Sequence, residues 1–403
     1  MIFAQAPHRT LRPVDRVISL GAGLPLVPER LLLAHARGQV LFIAGAGVSM
    51  PAGMPDFRKL VVDVYSTLDA AVHHVITTSE DKDAGDIADL TNQQVAEVRR
   101  FKRRDYDVVL GMLERRIDDV PSGTSRVRAA ISEVLRSSDK GPARIHKALM
   151  RLADRGGMTA IVTTNFDGLL QSGADRNAKP QTYALGGIPR PGRSREFNGV
   201  LHIHGALERD RRRTADLVVT DQDFGEFYMR RRTVPDFIYD AARLFHLVLV
   251  GYSADDPPMR YLLNAIAADG VRFDDLKERF TFIGSEAPDP VVVEDWKGRG
   301  ITPVAYDSKG QHQSLLDLLE RWADLSAING QPKKLDAEIR RIVKVERSVT
   351  VESDRDLFDH LFRRGNTTER VRLADLASRA GADLGWLDAM AAIASERESE
   401  VAA

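Results

Sequence analysis

One continuous apolar run, Val40-Leu41-Phe42-Ile43, leads straight into Gly45-Ala46-Gly47. Such a run offers no polar face to water, so as a strand it must be covered on both sides. A parallel sheet with helices on both faces meets that requirement. The glycine turn suits the same arrangement. Without Cβ atoms, backbone N–H groups can approach an anion at the start of the next helix, whose dipole favours negative charge. Further strand-like runs follow at residues 159–163, 200–203, 247–250, 280–283 and 302–305, with another short strand expected at 217–220. Helical patterns from about residue 166, at 258–268 and at 313–325 alternate with them. The alternation predicts an α/β fold: a Rossmann-like, mostly parallel sheet with a helical insertion and a mainly helical C-terminal extension.

The 403 residues divide by pattern into three parts. Residues 1–36, broken by Pro7, Pro13, Pro25 and Pro28, read as an N-terminal arm with a short helix at 31–36. Residues 37–330 hold the alternating unit. Within it, from about 60 to 157, apolar residues recur at helical spacing, as in Val109, Met112, Leu113 and Ile117, then Val127, Ala130, Ile131, Val134 and Leu135. The polar residues 78–90 read as a loop. Pro332-Lys333-Lys334 marks a boundary, and residues 335–403 read as a C-terminal interaction region. There Val343, Val345, Val349 and Val351 alternate and suggest a short strand pair, followed by helices at 373–380 and 386–394.

Composition excludes several function classes. Net charge is −1, from 57 basic and 58 acidic residues, so no global field draws the chain to nucleic acid or a membrane. The local clusters Arg99, Arg100, Lys102, Arg103 and Arg104, residues 211–213, and Arg230, Arg231 and Arg232 read as solvated faces or salt-bridge partners, with contacts to a nucleotide or a partner as the alternative. The chain has no cysteine, which excludes disulfides, thiol catalysis and cysteine-bound zinc. That usage fits a cytoplasmic protein. No secretory leader pattern and no apolar run of about 18 residues is present, so no membrane span is expected. Gly21-Ala22-Gly23 follows no strong strand and reads as a turn.

The later glycine pair differs because the sequence continues Val48-Ser49-Met50-Pro51-Ala52-Gly53-Met54-Pro55-Asp56-Phe57-Arg58. From Gly45 onward this segment resembles the sirtuin pattern GAGxSxxxGxPDFR at every fixed position. Three further segments agree in order. Thr163-Thr164-Asn165-Phe166-Asp167 resembles the family's T-Q-N-x-D, with Thr164 in place of glutamine. Ile203-His204-Gly205 resembles its catalytic His-Gly, and Gly251-Tyr252-Ser253 its Gly-Thr-Ser. The likeness covers residues 40–325.

What the resemblance implies is a site for NAD. Gly45, Ala46, Gly47, Ser49, Asp56, Phe57, Arg58, Asp167, Gly251, Tyr252 and Ser253 would bind the nucleotide. An arginine near a phosphate and an aromatic ring near a nicotinamide make physical sense together. Asn165 and His204 would be catalytic. Breaking the nicotinamide–ribose bond develops positive charge on the sugar, as in glycoside hydrolysis. Asn165 offers a donor and an acceptor to fix a ribose hydroxyl or a water. His204 can take a proton near neutral pH. Asp167 either orients Asn165 or caps the following helix. His202, on the same side of an ideal strand as His204, reads as a packed, hydrogen-bonded histidine rather than a metal ligand. Asp223-Phe224-Gly225-Glu226 resembles a sirtuin fragment, although its surroundings read as a helix start.

Sirtuin deacylases carry a four-cysteine zinc ribbon that this chain cannot build, so no zinc is expected and acyl-lysine peptide is an unfavoured substrate. The Thr-Thr-Asn-Phe-Asp variant is similar to bacterial sirtuin-like proteins of anti-phage defence. The resemblance therefore implies an NAD hydrolase effector, cytoplasmic and homo-oligomeric, beside a protein partner such as a HerA-like ATPase. With a net charge of −1, no direct nucleic-acid contact is expected. The alternatives are a non-catalytic module that binds NAD or ADP-ribose, and residual deacylation or ADP-ribosyl transfer.

Overall fold

The computed structural model describes residues 16–78, 89–118, 125–175, 177–192, 197–207, 217–252, 257–269, 275–287 and 289–401. Its strands are β1 (Val17–Ser19), β2 (Leu26–Pro28), β3 (Val40–Ala44), β4 (Ala160–Thr163), β5 (Gln181–Tyr183), β6 (Gly199–His202), β7 (His246–Val250), β8 (Arg279–Ser285) and β9 (Thr302–Asp307). The last seven form one sheet in the order β5-β6-β4-β3-β7-β8-β9. The registers from β5 through β8 are all parallel. This is the Rossmann-like sheet that the continuous apolar runs predict. All five residues of β3 are buried, as are all four of β4 and of β6. The chain divides into two compact units, residues 39–303 and residues 1–38 with 304–403.

In the first unit, β3 sits centrally between β4 and β7. The chain leaves β3 toward one side and returns through β7 on the other, so the strand order reverses here. A crevice opens at such a switch point, outside the carboxyl ends of the strands. Gly45 and Gly251, which follow β3 and β7, pack against each other at this point.

The insertion folds as helices Phe57–Leu68, Ala70–Thr78, Asn92–Lys102, Tyr106–Asp118, Arg126–Ser138 and Arg144–Ala153. Val109, Leu113, Val127, Ala130, Ile131 and Leu135 are buried as their spacing predicts, in a core with Val61, Val64 and Tyr65. Residues 79–88, most of the expected loop, lie outside the described residues. A buried ion-pair network ties this insertion to the site region. Arg128 donates to Glu114 at 2.8 Å, to the Leu217 carbonyl at 2.8 Å and to both Asp223 oxygens at 2.8 and 2.9 Å.

Three expectations change. Residues 217–220 are not a strand: the Val218 N–H donates to the His204 carbonyl at 2.8 Å, and Thr220 caps the helical turn Asp221–Phe224. The helix expected from about Phe166 starts only at Leu169 and ends at Gly173, the Asp167 carboxylate accepting from the Leu169 N–H at 3.0 Å. Val343 to Val351 form a helix end and turns, with the Val345 carbonyl taken by the Trp386 indole N–H at 2.9 Å. Strand β5 was not expected. Its three residues are partly or fully exposed and carry no apolar run.

The second unit brings together described residues 16–38 and 304–401. The antiparallel pair β1–β2 turns through Gly21 and Gly23, as its glycines predict. Helix Glu29–Ala36 follows, and the later helices are Lys309–Leu325, Pro332–Val343, Glu352–Arg364, Thr367–Arg379 and Leu384–Val401. Glu29, 5% exposed, accepts from Arg363 at 2.6 Å and lies 3.3 Å from His360 Nδ1. The N-terminal segment is thus built into the C-terminal helices. No described helix is long and apolar enough to cross a membrane.

Candidate functional site

The glycines at the switch point serve first to bring two loops together. The Gly45 N–H donates to the Val250 carbonyl and the Gly47 N–H to the Gly251 carbonyl, each at 2.9 Å. A Cβ on Gly45 would meet the Gly251 oxygen at 2.5 Å, and one on Gly251 would meet the Val48 nitrogen at 2.6 Å. Gly251 also holds φ +63°, where side chains are strained. These two N–H groups are therefore committed to the protein rather than to an anion. The helix that follows is a single turn, Ala46–Ser49, continued by the tight turn Met50–Ala52.

Asn165 stands beyond the end of β4, beside this turn. Its Nδ2 donates to the Gly45 carbonyl at 3.0 Å and to Ser49 Oγ at 2.9 Å. Its backbone N–H donates to Thr163 Oγ1 at 3.0 Å, and that hydroxyl donates to the Ala44 carbonyl at 2.9 Å. A carbonyl can only accept, so the amide orientation is fixed by chemistry. Both amide hydrogens are used, and Oδ1 is the atom left to meet a ligand.

His146, which the sequence reading did not single out, touches the same group. It is fully buried on helix Arg144–Ala153, with Nε2 at 3.2 Å from Ser49 Oγ. The Ala143 N–H donates to its Nδ1 at 3.1 Å. Burial holds its pKa below the ordinary value, against the opposing charge of Asp167. The missed signal was a histidine inside an otherwise apolar helix face.

Asp167, 6% exposed, takes the capping role by accepting from the Leu169 N–H. Its charge also acts on His202, whose pKa burial pushes down. His202 Nδ1 donates to the Asn165 carbonyl at 2.7 Å, and Gln171 Nε2 lies 2.8 Å from His202 Nε2. His202 is thus a fully buried histidine with both ring nitrogens occupied.

His204 lies two residues past β6, which pairs with β4 so that Thr163 stands opposite His202. Asn165 and His204 therefore leave neighbouring strands at the same level. His204 is 6% exposed, and its Nε2 lies 2.7 Å from Tyr228 Oη. Phe224 packs edge-on to the ring at 5.4 Å. Burial pushes the imidazole pKa down to about 4, away from the near-neutral value expected for it. Phe224 and Tyr228 lie four apart on the helical stretch Asp221–Phe224 and Gly225–Arg230, the latter a wide turn of π type. Their i, i+4 spacing was the available signal for this wall.

The remaining motif residues divide. Tyr252 packs near Gly45 and belongs partly to the main core. Ser253 lies outside the described residues, as do residues 211–213 of the basic clusters. Asp56 accepts from the Lys59 N–H at 2.7 Å and so caps helix Phe57–Leu68. Phe57 packs edge-on to Tyr106 at 5.9 Å, and the exposed Arg58 lies over Phe101 at 5.5 Å. All three face the helical insertion in their described contacts. Arg230 and Arg231 pair with Glu226 at 2.7 and 2.6 Å, the salt-bridge role expected of them.

Residues 159–304 match the family model described as SIR2-like domain, which supports a sirtuin-like family for that part of the chain. An uncharacterized protein, y4cA, of Sinorhizobium fredii (strain NBRC 101917 / NGR234) is 33% identical over 297 residues, 71% of this chain. The chain spans 22% of that relative's length. A solved structure of a Sir2 homologue mutant in an ADP-ribose complex is 16% identical, covering 73% of this chain and 95% of that one, with a TM-score of 0.33.

Proposed function

We propose that this chain is an NAD hydrolase that cleaves the nicotinamide–ribose bond and releases nicotinamide and ADP-ribose. The observation that carries the reading is the clamped carboxamide of Asn165, which leaves one fixed acceptor beside the switch-point crevice. The match to the SIR2-like domain supports NAD as the ligand. As the glycosidic bond breaks, its electron pair leaves with nicotinamide and positive charge grows on the ribose. A water oxygen then bonds to the sugar carbon. Asn165 Oδ1 accepts a hydrogen from that water, or from a ribose hydroxyl, and holds it in place. One water proton passes to His204. With an electron-poor sugar carbon, positioning contributes more than base strength, so a weakly basic imidazole suffices.

Gly45, Ala46, Gly47, Ser49, Asp167, Gly251, Tyr252 and Ser253 are proposed to line the dinucleotide. Asp56, Phe57 and Arg58 join them on the motif alone. The same resemblance supports the wider proposal of a cytoplasmic, homo-oligomeric effector that depletes NAD in anti-phage defence. Its activity would be held in check by assembly with a HerA-like ATPase.

A second reading, a non-catalytic subunit that binds NAD or ADP-ribose, is favoured by one observation: the His204 ring is buried against Phe224 and Tyr228. Mass spectrometry of NAD incubated with the purified protein, alone and with the partner ATPase, separates the two. Nicotinamide and ADP-ribose formed by the wild type, and formed far more slowly with Asn165→Ala and His204→Ala, establish the hydrolase. Bound but intact NAD in every assembly establishes the binding subunit.

A further inference from the structure

We infer that His146 is a positioning residue, acting through Ser49 to hold Asn165 in its ligand-facing orientation. The inference rests on the assignment of Asn165 to the NAD site and adds a residue outside the four motif segments quoted above. It follows from counting protons. His146 Nδ1 faces the Ala143 N–H at 3.1 Å, and a backbone amide can only donate, so Nδ1 is an acceptor. The ring proton of the neutral imidazole then sits on Nε2 and is donated to Ser49 Oγ. Asn165 Nδ2 donates to the same oxygen. Ser49 thus accepts two hydrogen bonds, and its own hydroxyl hydrogen must point elsewhere.

Two consequences separate this arrangement from a serine–histidine nucleophile pair. The lone pair that would take a serine proton is absent, because Nε2 already carries hydrogen. His146 therefore does not activate Ser49 but fixes its rotamer. With that rotamer fixed, Asn165 has two immobile acceptors, the Gly45 carbonyl and Ser49 Oγ, and its Oδ1 cannot swing away. Ser49 is 2% exposed and His146 0%, so no water replaces either partner cheaply.

The test is a double-mutant cycle on the full chain with NAD, reading both turnover and NAD affinity. Asn165→Ala identifies which quantity Asn165 controls. His146→Ala should lower that same quantity at least 10-fold and add less than 2-fold in the Asn165→Ala background. His146→Gln, which keeps a donor near Nε2, should restore at least a third of it, with folding of every variant followed by thermal melting. An additive loss, or an equal loss in His146→Gln and His146→Ala, overturns the inference. A wild type that binds NAD without cleaving it ends the hydrolase reading, and the cycle in affinity then decides the role of His146. Independently, 15N shifts of the His146 ring must show the Nε2–H tautomer; an Nδ1–H tautomer overturns the assignment.

Discussion

Tyr228 Oη lies 2.7 Å from Nε2 of His204, the imidazole that the sequence offers as the base. Base chemistry through the other nitrogen requires Nε2 to carry the proton and donate to Tyr228, leaving the Nδ1 lone pair for water. Tyr228→Phe removes the oxygen that accepts from Nε2 in this tautomer. Turnover should fall roughly 10-fold, less than the ~10²–10⁴-fold that a positioned acid–base group itself contributes, with little change in KM. A rise in turnover would identify Tyr228 as a residue that sequesters His204.

Acid should weaken the fold well before carboxylates titrate. The His204 pKa is pushed down to about 4 from 6.5, and burial also lowers those of His146, His202 and His360. The unfolded chain then binds more protons than the native one below about pH 6.5, so stability falls as pH drops through that window toward 4. His204 alone accounts for on the order of 3 kcal/mol. Denaturant midpoints measured from pH 7 to 5 should decline steadily, and His204→Gln should flatten the decline. A flat wild-type profile would show that His204 is not buried in solution.

The same shift sets the pH dependence of turnover. His204 is neutral throughout the range above about 4, so kcat should show no acid limb near pH 6.5 while the protein stays folded. An inflection close to 6.5 would show that the ring is solvated during the reaction.

Gly251→Ala should be costly at two levels. A Cβ there enters the space of the Val48 nitrogen, and φ +63° is unfavourable for it. Destabilisation of about 2 kcal/mol or more is expected, with loss of NAD binding because the two loops at the switch point separate. Urea unfolding and calorimetric NAD titration check both, and an unaffected affinity would detach the crevice from the nucleotide.

Arg128 links the insertion to the wall around His204. Its partners Glu114 and Asp223 are largely buried, so Arg128→Ala strands two carboxylates and should cost about 3–5 kcal/mol. Asp223 also accepts from Thr220 at the start of the stretch bearing Phe224 and Tyr228. The fluorescence or NMR signature of Tyr228 should therefore change in the same variant. Wild-type stability there would show that the network is dispensable.

The local sequence determined the sheet, because a strand covered on both faces needs an apolar run: β3, β4 and β7 each carry one, while β6 has only Val200 and Leu201 beside the buried His202. It also determined the close approach of Gly45 and Gly251, which no larger residue permits, and marked Asn165 and His204 at strand ends. Tertiary structure alone decided the rest. Asn165 is fixed by Gly45 and Ser49, 120 and 116 positions away, so its orientation could not be read from its neighbours. His146 enters from the end of an insertion whose packing the periodicity predicts but whose facing residues it does not. The segments that begin and end the described chain meet through Glu29 and Arg363, 334 positions apart, although each alone reads as an appendage. Periodicity records which face of an element is buried; which polar group it meets there depends on where the rest of the chain brings a partner, and in the interior that partner sets the protonation and orientation of the group.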